Sequence, residues 1–407
     1  MNRRKFMALS ASPVLLNAAP CAEKLASPPW KHLSSAGGDL PVPSLGTDQT
    51  GTIVGDVDGD GRTDFVLTGR RKHNSAVWMR NTGNVNAPFA GWKEYLVDPG
   101  PLNLEAGGAL FDVDGDGYLD LVVGGDSSTN QVWWWENPAP HFDPATPWRR
   151  HILKDSGRTQ HHDLMLGDVL NEGSAQLVFW NQGAQALFLA RVPKDAKTRT
   201  APWPLQTVFQ GDAPMEGLAM ADIDGDGLLE IVGGGRWFKH KGSMNFTPRV
   251  IDDSQKFSRA AAGKLIRRAN GAQVAFDSGD GCGPLKWYEM RGDGSWAGHD
   301  LLGQDVVHGH SLRIGDMDGD GNLDIFCGEM SKWCDWTRTV DYPRAHLWVF
   351  YGDGQGKFEK VTIAEGGHGT HEAQLADLTG DGKLDILAKP YMAGAPGIDF
   401  WINPGRQ

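Results

Sequence analysis

The chain has 407 residues, of which 40% are apolar, 54 are glycine and 16 are tryptophan. This composition excludes a disordered or coiled-coil protein and favours a large core built from many short strands joined by tight turns. The formal net charge of -12 argues against a nucleic-acid partner, which would need a basic face.

The first 22 residues have the three-part layout of an export signal. An arginine pair at positions 3 and 4 precedes an apolar run from Met7 to Leu16, and small residues follow. The run is too short to span a membrane, and no other segment is long and apolar enough to do so. The arginine pair indicates the twin-arginine route. We therefore expect residues 1–22 to be removed and residues 28–407 to form one domain, periplasmic or secreted.

Three cysteines remain once the signal is removed. Cys282, Cys327 and Cys334 are an odd number, which excludes a disulfide scaffold but permits one bridge in an oxidising compartment. Cys327 can pair with Cys334, or Cys282 can pair with either, and the sequence does not choose.

An acidic nine-residue loop recurs along the chain. Five copies are well formed, and they read DVDGDGRTD from Asp56, DVDGDGYLD from Asp112, DIDGDGLLE from Asp222, DMDGDGNLD from Asp316 and DLTGDGKLD from Asp377. Two degenerate copies fill the gaps, DVLNEGSAQ from Asp168 and GKLIRRANGAQ near Lys264. A spacing of about forty to sixty residues is typical of propeller blades. The chain therefore has seven repeats.

A second repeat leads to the same number. A strand led by an aromatic residue precedes every acidic loop, at Trp30, Trp92, Trp148, Trp203, Phe246, Trp296 and Phe358. After each loop comes an apolar strand, and commonly a third strand with tryptophan, such as VWWWENP. These patterns predict an all-β, seven-bladed β-propeller with four strands in each blade. Because the strand at Trp30 precedes the first loop, we expect it to complete the last blade and close the ring.

The repeated GDxDGDGxxD segment, followed by an apolar strand and ENP, resembles the FG-GAP and VCBS repeat family of calcium-binding seven-bladed propellers. The resemblance covers essentially all of the mature chain. Some members, such as integrin head domains, bind partners. Others act on carbohydrate, among them ulvan lyases, a rhamnosidase acting on rhamnosyl-glucuronate and the propeller domain of aldos-2-ulose dehydratase. The resemblance thus implies the fold and a choice of functions, because fold alone does not specify activity.

The acidic loops supply the ligands that Ca²⁺ prefers. Carboxylates at loop positions 1, 3, 5 and 9 and a carbonyl at position 7 are hard oxygen donors, and glycines at positions 4 and 6 allow the sharp turn. The pattern predicts about five structural calcium sites, the last weakened by a threonine. The predicted ligands are Asp56, Asp58, Asp60, Asp64, Asp112, Asp114, Asp116, Asp120, Asp222, Asp224, Asp226, Glu230, Asp316, Asp318, Asp320, Asp324, Asp377, Thr379, Asp381 and Asp385.

Function is expected on the opposite face of the propeller. The innermost strand of a blade ends in the acidic loop, so its start lies at the other end of the central channel. Six residues before each loop stand Thr50, Ala106, His162, Glu216, about Ser258, His310 and His371. Neighbouring positions add His161, His308, His368, Glu372 and Arg259. Six of the 13 histidines thus fall in three loops that converge on the axis.

The loops between the second and third strands reach the same face. They offer groups suited to a carboxylated or polyhydroxylated substrate, and these include Arg70, Trp180, Arg236, Asp280, Glu329, Lys389 and Tyr391. We predict substrate contacts for Arg70, Trp180, Arg236, Glu329 and Lys389, and also for His161, His308 and His368.

Two kinds of chemistry fit the histidines. His162, His310 and His371, with Glu216 completing the shell, could bind a catalytic metal such as Zn²⁺ or Mn²⁺. Alternatively, one neutral histidine acts as general base and Tyr391 or another histidine acts as acid, as β-elimination of a uronate or keto-sugar requires.

The favoured interpretation is an exported lyase or dehydratase acting on carbohydrate. A glycoside hydrolase comes next, although no paired acid motif is recognisable by spacing. A propeller that binds a glycan or protein without chemistry is the competing class, and clustered imidazoles argue against it. The sequence leaves the oligomeric state open.

Overall fold

The structure is a computed structural model that describes residues 29–70, 74–84, 91–330, 345–392 and 394–406. The export signal predicted at residues 1–22 lies outside this part of the chain. Seven antiparallel sheets of four strands each form a ring. The first strands of neighbouring blades contact one another and line the central channel. The prediction of an all-β, seven-bladed propeller is confirmed.

The strands of the first four blades run from the channel outward in chain order. Blade 1 consists of Asp48–Gly55, Asp64–Arg70, Ala76–Asn81 and Trp92–Asp98. Blade 2 consists of Ala109–Phe111, Asp120–Gly124, Val132–Glu136 and Arg149–Lys154. Blade 3 consists of His161–Gly167, Gln176–Asn181, Ala186–Arg191 and Gln206–Gln210. Blade 4 consists of Ala219–Ala221, Glu230–Gly233, Arg236–His240 and Phe246–Val250.

The remaining blades follow the same plan. Blade 5 consists of Ser258–Gly263, Gln273–Ser278, Cys282–Met290 and Trp296–Val307. Blade 6 consists of Ser311–Gly315, Asp324–Gly328, His346–Gly352 and Phe358–Glu365. Blade 7 consists of Gln374–Ala376, Asp385–Ala388, Asp399–Ile402 and Lys31–Ser34. The helical elements of the described residues are one short α-helix, Ala196–Arg199, and two 3-10 turns, Gln182–Ala184 and Asp253–Gln255.

The N-terminal strand closes the ring as predicted. Lys31 pairs with Ile402 and Ser34 pairs with Asp399 in an antiparallel register. The last blade is therefore built from both ends of the chain, and closure removes the exposed sheet edges.

The hydrophobic core is divided among the blade interfaces. Each of seven apolar clusters joins two neighbouring blades. The tryptophans of the third strands contribute most of the volume, and Trp78, Trp134 and Trp135 are almost completely buried. The second and third strands are thus apolar on both faces because each blade is covered on both sides.

In blades 1, 2 and 7, the ninth residue of the acidic loop and an asparagine connect the blade to the preceding one. In blade 2, the Oδ2 of Asp120 accepts a hydrogen bond from Val113 N at 2.9 Å, and Oδ1 accepts one from Asn137 N at 2.8 Å. The side chain of Asn137 then donates to the carbonyl of Val57 in blade 1 at 2.9 Å. Equivalent bonds run from Asn403 to the carbonyl of Met317 at 2.6 Å and from Asn81 to that of Leu378 at 3.3 Å. The asparagine of the ENP motif is therefore an inter-blade contact.

The two degenerate loops use glutamine instead of the ninth carboxylate. In blade 5, Gln273 accepts from Ile266 N at 2.8 Å and donates to the carbonyl of Gly271 at 2.9 Å. In blade 3, Gln176 likewise accepts from Leu170 N at 3.0 Å. An amide supplies both an acceptor and a donor, so these loops close without a cation.

Cys282 is disulfide-bonded, whereas Cys327 is a free, buried thiol. Pairing of Cys327 with either Cys282 or Cys334 is thus excluded. Among the described residues, no helix has the length and apolarity needed to cross a membrane.

Candidate functional site

Four of the acidic loops bring carboxylate oxygens together in groups that could hold a metal ion. Within each group the donor atoms lie within 4.8 Å of one another. The groups are Asp56, Asp58 and Asp64; Asp112, Asp114 and Asp120; Asp222, Asp224 and Glu230; and Asp316, Asp318 and Asp320. In blade 4, the ammonium of Lys239 already contacts Asp224 at 3.0 Å, Glu230 at 2.8 Å and also Asp226.

The fifth predicted calcium site, in blade 7, does not form a group of this kind among the described residues. The blade 7 residues Asp377, Thr379, Asp381 and Asp385 do not form such a group within the described part of the chain. Thr379 replaces a carboxylate, Asp381 pairs with Lys383 at 2.5 Å, and both oxygens of Asp385 accept backbone hydrogen bonds.

Position 5 of the loops, and position 9 in blade 6, also depart from the predicted ligand pattern. Asp60, Asp116 and Asp226 stand outside the groups in blades 1, 2 and 4. Asp60 pairs with Arg62, and Asp226 pairs with Lys239. In blade 6 it is the ninth residue, Asp324, that lies outside the group.

The residues that precede the inner strands form a polar cavity of about 110 Å³ at the other end of the channel. It is lined by Arg70, Glu105, Ala106, Ser127, Gln160, His162, Gln182, Glu216, Phe257, Asp280, His310, His371 and Tyr391. All five predicted catalytic residues and one predicted substrate contact are in this set. The convergence expected from the repeat spacing is therefore present in the geometry.

His162 lies between two carboxylates. Its Nδ1 is 2.7 Å from Asp163 Oδ2, and its Nε2 is 3.7 Å from Glu216 Oε2. Burial alone would lower the pKa of His162, but the charges of Asp163 and Glu216 outweigh burial and raise it above its ordinary value. The two carboxylates therefore favour the protonated form of His162.

Asp163 is held in turn by a buried ion triad. Arg259, which is 5% exposed, contacts Asp163 Oδ1 at 2.5 Å and Glu372 Oε1 at 2.6 Å. Burial opposes ionisation of Asp163, but Arg259 and His162 outweigh burial and hold its pKa below its ordinary value. The three residues of the triad line a second cavity of about 350 Å³ among the inner strands.

Glu216 is a buried carboxylate of a different kind. Burial raises its pKa, and the nearby His162 cation only partly offsets the effect. Its Oε1 has no hydrogen-bond partner among the described residues. A Cβ built on Gly279 would lie 1.6 Å from that oxygen, so glycine is required there for the carboxylate to fit.

Three rings form a stack on the other side of the cavity. The ring centroids of His310 and His371 are 4.6 Å apart, and those of His371 and Tyr391 are 4.9 Å apart, each pair at an interplanar angle of 24°. His310 Nε2 lies 3.1 Å from Asp280 Oδ1. Tyr391 and His371 are thus close enough for acid and base roles on one substrate.

This arrangement does not fit the predicted transition metal. No group of metal-binding side chains among the described residues contains His162, His310 and His371. The nitrogens of His162 face Asp163 and Glu216, and the stacked rings of His310 and His371 present faces to each other rather than nitrogens to a common point.

Lys389 lies beneath His371 rather than in the cavity. Its side chain is fully buried, and Nζ donates to the carbonyls of Gln49 and Thr50 at 2.9 and 3.1 Å. Nζ is also 3.3 Å from His371 Nδ1. A direct substrate contact by Lys389, as predicted, is not supported.

Six other predicted substrate contacts do not line the cavity. Trp180 is fully buried and donates to the carbonyl of Gly217 at 2.8 Å. Glu329 accepts from Val307 N at 2.8 Å and from His346 Nδ1 at 2.7 Å. Both side chains form hydrogen bonds within the fold, and neither lines the polar cavity.

The remaining four of these are three histidines and an arginine. His161 Nδ1 donates to the carbonyl of Gly125 at 2.9 Å, and burial, reinforced by Lys154, lowers the pKa of His161 to about 3. His308 is buried, Arg236 pairs with Asp253 at 2.5 Å, and His368 is exposed away from the cavity.

Sequence reasoning missed one cavity carboxylate. Glu105 is buried, pairs with Arg70 and accepts from Ala106 N at 3.0 Å. With Glu216 and Asp280 it brings three carboxylates into one cavity. The signal was present, because Glu105 directly precedes a position of the predicted series, but that position is occupied by Ala106 rather than by a histidine.

Comparison with known proteins supports the repeat assignment. Two stretches of the sequence, residues 112–179 and 337–388, match the FG-GAP-like repeat family. The chain therefore carries FG-GAP-like repeats within a seven-bladed propeller. None of the curated proteins matches the sequence significantly.

Solved structures resemble the chain at low sequence identity. The lectin BP39L from Burkholderia pseudomallei has a TM-score of 0.56 and 13% identity, covering 86% of this chain and 94% of the lectin. Rhamnogalacturonan lyase YesW has a TM-score of 0.45 and 13% identity, covering 94% of this chain and 75% of the lyase. A rhamnogalacturonan lyase from Bacillus licheniformis has a TM-score of 0.43 and 14% identity with the same coverages. The lectin supports the fold alone, and the two lyases carry no argument about activity.

Proposed function

We propose that this FG-GAP-repeat propeller is a carbohydrate-active lyase or dehydratase whose active site is the polar cavity. The observation that carries the proposal is the meeting of a histidine cation, His162, with the stacked pair His371 and Tyr391 in one cavity. These groups supply the positive charge, the base and the acid that a β-elimination requires. The carbohydrate class rests on the resemblance of the repeats.

The chemistry begins at a carbon next to a carboxylate or ketone. His371 takes the proton from that carbon, and the electron pair of the C–H bond moves into an enediolate. The positive charges of His162 and Arg70, both of which line the cavity, stabilise the developing negative charge. Tyr391 protonates the leaving oxygen as the C–O bond breaks, and a carbon–carbon double bond remains.

We propose Ca²⁺ as the ion of the acidic loops, because all donors there are oxygens. Its role is structural, since the loops lie at the opposite end of the channel from the cavity. We also propose that residues 1–22 direct export to the periplasm or the medium. The N-terminal sequence of the secreted protein would test this, because retention of residue 1 there contradicts removal of a signal.

A panel of uronate-containing glycans and keto-sugars tests the enzymatic proposal. We expect a product with a new ultraviolet-absorbing double bond, and a loss of turnover of about 10²–10⁴-fold in His371→Ala. His141→Ala, which changes an exposed histidine far from the cavity, should keep full turnover. Unchanged turnover in His371→Ala would refute the assigned base.

A glycoside hydrolase is the second candidate, favoured by the three carboxylates of the cavity. Glu216, with its raised pKa, would be the acid, and Asp280, partly exposed beside His310, would be the base. The two activities differ in product, because hydrolysis gives a reducing end without a double bond. If the panel shows tight binding and no turnover of any kind, the chain is a glycan-binding propeller instead.

A further inference from the structure

Lys389 is a buried lysine whose partners are all neutral groups. It follows the second strand of blade 7, and its Nζ reaches across the closure of the ring to the carbonyls of Gln49 and Thr50 in blade 1. Its third partner is His371 Nδ1 at 3.3 Å. The backbone fixes this pair, because His371 N donates to the carbonyl of Lys389 at 2.9 Å.

Counting protons leaves two arrangements with a neutral His371 that satisfy the three hydrogen bonds of Nζ. An ammonium has three N–H donors, which match two carbonyls and an unprotonated Nδ1, so the proton of a neutral His371 is then on Nε2. A neutral amine has two N–H donors for the same carbonyls and a lone pair that accepts from Nδ1–H, which leaves Nε2 as a base. A protonated imidazole facing an ammonium satisfies neither arrangement.

We propose that Lys389 and His371 share one proton and act as a relay, with Lys389 as the positioning residue that decides which nitrogen of His371 is protonated. When Nε2 gains a proton from the cavity side, Nδ1–H passes its proton to Nζ. The imidazole stays neutral, and the positive charge moves to the buried lysine.

The surroundings of Lys389 match this role. Burial lowers its pKa to about 7, with Glu372 opposing that shift and Arg70 reinforcing it. Both states of the amine are therefore populated near neutrality. Because the ring of His371 lines the cavity while Lys389 does not, the charge is kept one residue away from the reacting groups.

The catalytic use of the relay rests on the proposed function. In the elimination, the substrate proton goes to Nε2, the Nδ1 proton goes to Nζ, and the electron pair stays on carbon as the enediolate. Reverse transfer from Nζ to Nδ1, and from Nε2 to the oxygen of Tyr391 that gave its proton to the leaving group, resets the site.

Nitrogen NMR of the whole chain labelled with ¹⁵N-histidine tests the relay without a substrate. The signals of His371 are assigned by their loss in His371→Gln. We expect His371 to stay neutral from pH 8.5 to pH 5.5 and to change from the Nδ1–H to the Nε2–H tautomer, with a ratio that changes about tenfold per pH unit around pH 7. Formation of an imidazolium at His371 in that range would overturn the proposal.

Two lysine variants separate the relay from a purely structural role. In Lys389→Met the coupled tautomer change should disappear, and His371 should gain a second proton on acidification. Lys154→Met is a matched control, because Lys154 is also buried and donates to two carbonyls, of Asn130 and Arg158, at 2.7 and 3.0 Å. Its loss should leave the His371 signals unchanged. If Lys389→Met titrates like the parent chain, the relay is refuted whether or not a substrate has been found.

Discussion

Removal of Arg259 should show how much the buried ion triad contributes to the free energy of unfolding. Arg259→Met keeps the apolar stem and removes the only cation that contacts both Asp163 and Glu372 among the described residues, at 2.5 and 2.6 Å. Within the described part of the chain, Asp163 then keeps only His162 as a charged partner, and Glu372 keeps only Arg313 at 3.7 Å. Loss of the cation between two buried carboxylates should cost about 3–5 kcal/mol of the free energy of unfolding. For a domain of this length, unfolding entropy is about 0.8 kcal/mol/K, so the melting temperature should fall by about 5 °C.

The pH dependence of that loss identifies its cause. In the parent chain the pKa of Asp163 is lowered, so its stabilising effect is complete above the unfolded pKa of about 4 and persists down to the folded pKa. In the variant Asp163 is a buried acid without Arg259, so its pKa should rise and the penalty should shrink as pH falls toward 4.

Urea unfolding at pH 7.5 and pH 5 measures this difference. Arg249→Met is the control, because Arg249 is exposed on the outer strand of blade 4, and it should change stability by less than about 0.5 kcal/mol. A loss below about 1 kcal/mol for Arg259→Met, or a loss that is the same at both pH values, would refute the reasoning.

Three further predictions concern the acidic-loop face. Chelation with EDTA should lower the melting temperature, and Ca²⁺ at about 100 times its Kd should restore about 2.7 kcal/mol per site; an unchanged melting temperature would contradict structural ions. Gln273→Glu should lower the free energy of unfolding by about 1–3 kcal/mol at pH 7, because a carboxylate cannot donate to the carbonyl that Gln273 contacts. This loss should shrink toward pH 4 as the carboxylate is protonated. The control in urea unfolding is Gln206→Glu at an exposed position. Asn137→Ala should cost about 2 kcal/mol by leaving two carbonyls without donors, whereas exposed Asn245→Ala should be neutral in the same assay.

The sequence predicted the fold well because each blade repeats the same local signals. Acidic loops and aromatic-led strands gave the blade number, and the position of Trp30 gave the closure at Lys31–Ser34. At blade 7 the spacing predicted a calcium site, but Asp377, Thr379, Asp381 and Asp385 do not form a metal-binding group among the described residues. Spacing records residue types but not side-chain pairing, such as that of Asp381 with Lys383.

The candidate site was predicted only in part because histidine serves two purposes in this chain. His162, His310 and His371 line the cavity, but other histidines stack on tryptophans of the third strands. The ring centroids are 4.3 Å apart for His151 and Trp134 and 4.1 Å apart for His32 and Trp401. The number of histidines in the sequence is therefore larger than the number that line the cavity. Which side chains reach the channel depends on bulges and backbone turns that residue spacing does not record.

Next to the cavity, two residues with side chains adopt a strained, left-handed backbone conformation. One residue after the predicted series, blades 2 and 4 have Gly107 and Gly217 in the left-handed region, with φ of 83° and 78°. Blades 3 and 7 place Asp163 and Glu372 there instead, with φ of 49° and 57°, which costs a residue with a Cβ about 1–2 kcal/mol relative to glycine. Those are the two carboxylates that Arg259 joins. The ion pairs of the triad offset the strain. Asp163, unlike a glycine, has a side chain that contacts His162 and favours its protonated form in the proposed active site.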